Sequence, residues 1–392
     1  MIMRLLEFFK KIKLESPKQS DVLIFDVEGS DLLSRHVLYG IDHGILHTRQ
    51  EFFYCGLKVI TYILLNVNIT NLGNSKKIVS EFYKAYILGC LQCIKPKVVL
   101  SFIDNEPTFH WISRVYTNAT FYAIQNGMRV INDSWDYTDS DLEKICVFGG
   151  NGRANCVTNF MCFGEKEEAF YRKYGAKIDN YHLLGSLKGS YYKYALNRDP
   201  PEKKYTLCLV SENPQTKFEE QQFPHFKKSN TIMATYLKQF VDETGVSLCI
   251  ANRTGSTDEY EYFQRIFGES ATIIIKNNPS AFSTYRAMDE SQVIISHFST
   301  AAIEAFGWGK KILLCNYSDN PLYSFTFSDL CTTDIADYNI FKEKLKKLIN
   351  MDREKFLNET FAKRKYFMNY DPDIPATDYV RRIVIEHLTV RE

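Results

Sequence analysis

The chain has 392 residues, 45% of them hydrophobic and 24% charged, enough to build large cores and to divide into two domains rather than one. Its 48 basic and 47 acidic residues leave a net charge of +1, which removes any whole-chain electrostatic argument for nucleic acid or an anionic membrane and makes an anion site a local matter. Ten cysteines are scattered, several inside apolar runs such as "YTLCLV" and "ILLC", a usage that suits buried thiols in a reducing, cytoplasmic compartment.

The first segment, "MIMRLLEFFKKIKL", lacks the small-residue cleavage site of a secretory signal. Its Ile2, Leu5, Leu6, Phe9 and Ile12 share one face of a helix, while Arg4, Lys10, Lys11 and Lys13 supply positive charge. The pattern fits a terminal helix docked on its own domain and equally a peripheral contact of residues 1–14 with the cytoplasmic face of the inner membrane. No apolar run reaches the roughly 18 residues of a membrane span, because Lys58 and asparagines interrupt "LKVITYILLNVNI". Cys90 and Cys93 in "GCLQC" have metal-ligand spacing, but no second pair completes a site, so helix packing is expected there.

Strand-like runs then alternate with amphipathic segments: "DVLIFDV" at 21, "KVVLSFI" at 97, "FYAIQNG" at 121, "NFMCFG" at 159 and "YHLLG" at 181. Such alternation predicts a parallel α/β sheet. Between them, Asp139 and Asp141 in "TDSDLEK" form an Asp-x-Asp triplet, read as the acidic first turn of a helix rather than a metal site. "FGGNGR" at 148 reads as a flexible loop. The charged, proline-paired "NRDPPEKK", residues 197–204, is the linker candidate.

After it the alternation resumes with "YTLCLVSEN" at 205, a helix over 229–243, "VSLCIANRT" at 246, "ATIIIK" at 271, "QVIIS" at 292 and "KKILLC" at 310. The expected organisation is therefore an α/β protein of two Rossmann-like domains, 1–196 and 205–353, facing a cleft. A helical tail, 354–392, follows and could cross back to the first domain. Ligands of open parallel sheets bind beyond the carboxyl ends of the strands, so candidate residues are sought there.

In "QVIISHFSTAAIEAFGWGKKILLC" a strand gives way to a short helix at Ser299 and Thr300. A helix start offers free amides and partial positive charge, so a phosphate can be held there with help from the hydroxyls. Glu304, one turn on, lies on the same face and is suited to the vicinal hydroxyls of a ribose. A plain helix start with a capping hydroxyl and a surface carboxylate has the same sequence. Arg253 and Lys276 end neighbouring strands and could neutralise phosphate, Arg253 being the stronger candidate, or be simple surface cations. Ser296, His297, Glu212 and Asn213 border the same edge. In the first half, Asp26 and Glu28, Asp104 and Asn105, and Gln125 and Asn126 cluster at strand ends. Asp104 and Glu28 are the carboxylates placed to act as a base or nucleophile, with loop bracing as the alternative for Asp104.

The series "SHFSTAAIEAFGWGKKILLC" resembles the donor-nucleotide segment of GT-B fold glycosyltransferases. Related forms occur in CDP-glycerol glycerophosphotransferases, UDP-sugar 2-epimerases and bacterial Kdo transferases. "LIFDVEGSDLL", "SFIDNEPTFHWI", "AIQNGMR", "FMCFGEKEEAFYRKYGAK" and "HLLGSLKGS" resemble a group of surface-polysaccharide and O-antigen biosynthesis proteins. The resemblance implies a nucleotide-sugar donor held by the second domain at Ser299, Thr300, Glu304, Arg253, His297, Ser296, Lys276, Glu212 and Asn213. It implies a glycan or lipid-linked acceptor held by the first domain near Asp26, Asn105, Gln125 and Asn126. A CMP-Kdo-like donor is favoured, with UDP-sugars open. The nucleotide sugar is a substrate, so no cofactor, no obligatory metal and no nucleic acid is expected. A phosphotransferase, a 2-epimerase and a non-catalytic glycan-assembly scaffold are the competing readings.

Overall fold

A computed structural model describes residues 11–49, 51–67, 75–129, 132–144, 156–197, 199, 201–212, 224–268, 272–327 and 329–389. The first strand, β1 (Ile12–Lys13), corrects the expectation of a helix through Ile12: it pairs in parallel with β4 (Phe53–Tyr54). Residues 1–10 of that expected helix, like the glycine-rich loop at 148–153, lie outside the described residues.

Six strands form the first sheet: β2 (Val22–Phe25), β3 (His43–Leu46), β5 (Val98–Ser101), β6 (Thr120–Ile124), β7 (Cys156–Cys162) and β8 (Lys177–Leu183). Their order is β3-β2-β5-β6-β7-β8, every pair parallel. The second sheet takes β9 (Tyr205–Val210), β10 (Leu248–Ala251), β11 (Thr272–Ile275), β12 (Ser291–Ser296), β13 (Lys311–Cys315) and β14 (Thr332–Thr333) in the order β11-β10-β9-β12-β13-β14, again all parallel. Parallel strands covered on both faces read as unbroken apolar runs, and the burial follows: all four residues of VLIF, VVLS and LCIA are buried. Asp139 and Asp141 do open a helix, Asp139–Lys144, started by the Thr138 hydroxyl on the Asp141 amide. Cys90 is buried and Cys93 half-buried on the helix Ser75–Ile94.

In each sheet the strand order reverses once, between β2 and β5 in the first and between β9 and β12 in the second. Loops leaving such a reversal diverge to opposite faces and open a crevice. Both crevices face each other, which sets where a ligand can lie.

The tail ties the two halves together. We label the helices that matter α1 (Leu57–Asn66), α2 (Ser75–Ile94), α3 (Leu187–Ser190), α4 (Thr300–Gly307), α5 (Arg353–Phe367) and α6 (Ala376–Thr389). On α6, Ala376, Val380 and Val384 join the core on one face of the first sheet, beside Val22, Ile24, Val98 and Leu100. Between α5 and α6 the chain inserts Tyr370 into a groove with three glycine walls: a Cβ on Gly185, Gly189 or Gly307 would overlap Tyr370. Gly185 also has φ 70°, where a side chain is strained. The Asn369 amide donates to the Phe163 carbonyl at 2.7 Å and its side chain to the Leu183 carbonyl at 3.2 Å. Gly185 and Gly189 belong to the end of the first half and Gly307 to α4, so one aromatic ring packs on both.

Truncating Tyr370 leaves that groove unfilled. Tyr370→Ala should cost about 3–5 kcal/mol in denaturant unfolding, whereas Tyr370→Phe, which keeps the ring, should stay within about 1 kcal/mol of the parent.

Candidate functional site

A cavity of about 370 Å³ lies where the two crevices meet. From the first domain it takes Glu28, Phe102 and Asn126; from the second, Ser211, Glu212, Ser299, Thr300 and Glu304 among others. These are the residues that leave β2, β5, β6, β9 and β12.

On the second-domain side, Ser299 occupies the N-cap position of α4 and is buried, yet makes no side-chain capping bond. Ser299, Thr300 and Ala301, at the opening of α4, line the cavity. The Thr300 oxygen accepts from the Met128 amide of the first domain at 3.1 Å, so this hydroxyl bridges the domains while its own proton remains to donate. Glu304 is buried at the cavity wall and accepts from the Tyr285 hydroxyl at 2.5 Å. Burial pushes its pKa up, and Ser186, Tyr285 and Lys188 pull it part of the way back.

Arg253 reaches the cavity from the end of β10. Its loop is held by Glu259, a fully buried carboxylate that accepts from the Arg253 amide at 2.9 Å, the Thr254 amide at 2.8 Å and the Ser211 hydroxyl at 2.6 Å. Glu212 also lines the cavity and accepts from the Phe298 amide at 2.9 Å. Burial raises its pKa to about 7, against the opposing effects of that amide and of Arg253.

Other donor-side expectations do not meet there. Ser296 is fully buried and spends its hydroxyl on the Val210 carbonyl at 3.1 Å, stitching β12 to β9. His297 is packed among Phe226, Phe298 and Tyr323, and burial pushes its pKa down to about 4, so at neutral pH it offers no positive charge to a phosphate. Lys276 lies over the Tyr260 ring, away from the cavity, and Asn277 takes the lining position instead. Asn213 lies outside the described residues.

In the first domain Glu28 is exposed and lines the cavity. Asp104 does not line it. Its carboxylate is fully buried and gripped by both Arg129 Nε, at 3.0 Å, and Arg129 Nη2, with the Asn126 amide at 3.3 Å. Fully buried off the cavity, with both oxygens engaged by Arg129, Asp104 braces the 125–129 loop. Asp26 is likewise engaged: it accepts from the Glu28 amide at 2.9 Å, the Thr48 hydroxyl at 2.6 Å and Arg49 at 3.0 Å. Burial alone would raise its pKa, but these three partners outweigh it and hold the carboxyl below its ordinary value. Its part is to fix the turn that presents Glu28. Gln125 is buried between the Phe163 amide and the Gly127 carbonyl, each at 3.0 Å, and Asn105 is half-buried off the cavity. Of this group only Asn126 reaches the lining.

Among the cavity residues not anticipated, three polar ones stand out. Lys188, on α3, supplies a second cation. Ser186, which caps α3 through the Gly189 amide at 3.1 Å, stands beside it. Asn252 is 1% exposed and, among the described residues, neither atom of its amide has a partner. A buried amide left open in a cavity wall is a group waiting for a ligand or a water. Its place at the end of "LCIAN" was the available signal.

The two facing Rossmann-like domains, their parallel sheets and the tail that returns to the first domain define the GT-B fold. No family profile matches the sequence, and no curated protein does. Solved structures do match, over nearly their whole length. The S. aureus MnaA–UDP co-structure has a TM-score of 0.52 at 13% identity, covering 95% of this chain and 96% of that one. A UDP-N-acetylglucosamine 2-epimerase gives 0.52 at 13%, covering 96% and 97%. A variant of the wall teichoic acid polymerase TagF soaked with CDPG gives 0.53 at 9%, covering 97% and 90%. At such identities the similarity establishes the architecture.

The raised pKa of Glu212 has a sign that can be tested. The folded protein keeps this proton from the ordinary glutamate value of 4.5 up to about 7, so the group's contribution to stability is full below 4.5 and is lost as pH rises to 7. Relative to Glu212→Gln, the parent should lose about 2 kcal/mol between pH 4.5 and 7.5 in parallel denaturant titrations.

Proposed function

We propose that this chain is a GT-B glycosyltransferase that moves a sugar from a nucleotide-sugar donor to a surface-polysaccharide or lipid-linked glycan acceptor. The observation that carries the reading is the convergence, in one interdomain cavity, of the uncapped start of α4, two cations, Arg253 and Lys188, and the buried carboxylate of Glu304.

The donor phosphate would take the α4 amides and the Ser299 and Thr300 hydroxyls, with Arg253 and Lys188 supplying charge. Glu304, its orientation fixed by Tyr285, would accept from the ribose hydroxyls. Glu28 replaces Asp104 as the base: it faces the cavity from the opposite domain, where an acceptor hydroxyl would enter. In the transfer, the acceptor oxygen bonds to the anomeric carbon as its proton passes to Glu28. The bond from that carbon to the phosphate oxygen breaks, and the nucleotide leaves with the electron pair beside Arg253 and Lys188. A CMP-linked donor is favoured from the sequence resemblance. Peripheral membrane contact through residues 1–14 fits a lipid-linked acceptor.

A second reading, epimerisation of a nucleotide sugar in the same cavity, draws on Glu212, whose pKa of about 7 suits exchange of a proton with carbon. Product analysis after incubation with nucleotide sugars and CDP-glycerol separates sugar transfer, epimerisation and phosphotransfer.

A thermal-shift panel of CMP, CDP, UDP, GDP and their sugars should give a selective stabilisation. Arg253→Ala and Glu304→Gln should each weaken it about 10- to 100-fold. Glu28→Gln should leave the shift unchanged while lowering turnover at least about 100-fold. A flat response across the whole panel would remove the nucleotide from the reading altogether.

A further inference from the structure

A second cavity, of about 390 Å³, opens at the opposite edge of the second sheet. Ser291 and Gln292 begin β12 and Lys311 begins β13, so it lies beyond the amino ends of the strands, whereas the cleft lies beyond their carboxyl ends. Trp308 and Gly309, which follow α4, form part of its wall, so that helix starts at one cavity and ends at the other. The volume falls within the range of small-molecule sites, roughly 300–1,000 Å³. Its lining is strongly one-sided in charge: Lys193, Lys203, Lys310, Lys311 and Arg353 stand against the carboxylates of Asp289 and Asp352. The whole chain carries a net charge of +1, so more positive excess is gathered in this wall than the entire protein holds.

Three of the ammonium groups gather on one buried residue. The Asp289 carboxylate accepts from Lys193 at 2.9 Å and lies 3.3 Å from Lys310. Its backbone carbonyl, at the end of the helix Ser283–Asp289, accepts from both Lys203, at 2.6 Å, and Lys310, at 2.5 Å. Two ammonium groups on one oxygen stand close enough to repel strongly where water is scarce, and a single carboxylate does not neutralise three cations. The neighbouring acids do not help: Glu290 is paired with Lys204 at 2.7 Å and does not line the cavity, and Asp352 is exposed and caps α5 through the Lys355 amide at 3.0 Å. Burial, and then the charge of Lys203, push the Lys310 pKa down to about 7 in spite of Asp289. Donors nevertheless remain. Lys310 gives a further N–H to the Ser291 carbonyl at 3.0 Å, and Lys311 reaches the carbonyls of Ile349 and Met351. Lys193 and Lys203, by contrast, each make one bond among the described residues, which leaves two N–H groups on each.

We propose that this cavity is a binding site for a phosphate-bearing small molecule, separate from the cleft, in which Lys193 and Lys203 donate to the phosphate oxygens and Arg353 supplies further charge. The positive excess exceeds what one carboxylate would balance, which favours a dianion as the ligand. The site does not depend on which reaction the cleft performs.

The experiment is calorimetric titration of the full chain, at fixed ionic strength, with inorganic phosphate, pyrophosphate and the monoester glycerol 3-phosphate. At least one should bind saturably where sodium chloride does not; tighter binding of the first two identifies free phosphate as the ligand, and of the third an esterified one. The double variant Lys193→Gln/Lys203→Gln should weaken that binding at least about tenfold, and Arg353→Gln should give a smaller loss. Arg353 is exposed, so its variant should keep the parent's melting temperature and decides the matter if the double variant unfolds. Arg253→Ala, in the cleft, should bind as the parent does. The proposal is overturned if none of the three compounds binds saturably, or if both the double variant and Arg353→Gln bind like the parent. It is also overturned if Arg253→Ala abolishes binding that those variants retain, since that moves the phosphate to the cleft.

Discussion

The structure depends on a single aromatic ring placed where three backbones come close. Tyr370 fills the space that Gly185, Gly189 and Gly307 leave open, and in doing so joins the end of the first domain, helix α4 and the returning tail. Glycine is required on three sides because the approach is too close for any Cβ, which makes the contact short and stiff rather than a sliding surface of side chains. Everything in the cleft is referred to that contact. α3, with Ser186 and Lys188, and α4, with Ser299 and Glu304, sit on either side of it, so their relative position is set by packing and not by the ligand.

Around the cleft, carboxylates divide into two kinds. Asp26, Asp104 and Glu259 are saturated by amides, hydroxyls and guanidinium groups, and each holds a loop in place. Glu28, Glu212 and Glu304 line the cavity. The first kind builds the rim on which the second kind stands, and the difference is decided by partners rather than by residue type. Asp26 fixes the turn below Glu28, and Glu259 fixes the loop that carries Arg253.

That division explains how far the sequence could be read. Continuous apolar runs gave most of the parallel strands within a residue or two, but β7 and β8 begin at Cys156 and Lys177, three and four residues before the runs at 159 and 181, because their first residues alternate in burial rather than being apolar throughout. The edge strand His43–Leu46 was overlooked, since three of its four residues are only half-buried and its sequence, HGIL, carries a polar start and a glycine. At the candidate site, the strand-end rule pointed to the sheet edges where the cavity opens, and Ser299, Thr300, Glu304, Arg253, Glu212, Glu28 and Asn126 line it. It could not separate Asp104 from Glu28. The partner that occupies Asp104 is Arg129, 25 residues on, and no local pattern announces such a pair. His297 failed for a similar reason: its aromatic neighbours, Phe226 and Tyr323, come from distant segments. Lys188 and Asn252 escaped because Lys188 sits on a single-turn helix and Asn252 in the loop after β10, neither with a periodicity to read, and only the fold brings them to the cavity.

The hydrogen bond from the Met128 amide to Thr300 spans the two halves at the very edge where a ligand's charge would settle. An oxyanion at that edge would accept the Thr300 proton while the same oxygen goes on accepting from Met128, so ligand and inter-domain tie would share one hydroxyl while the ring of Tyr370 keeps the other contact. The floor of the crevice and the seam between the halves thereby meet at one oxygen atom.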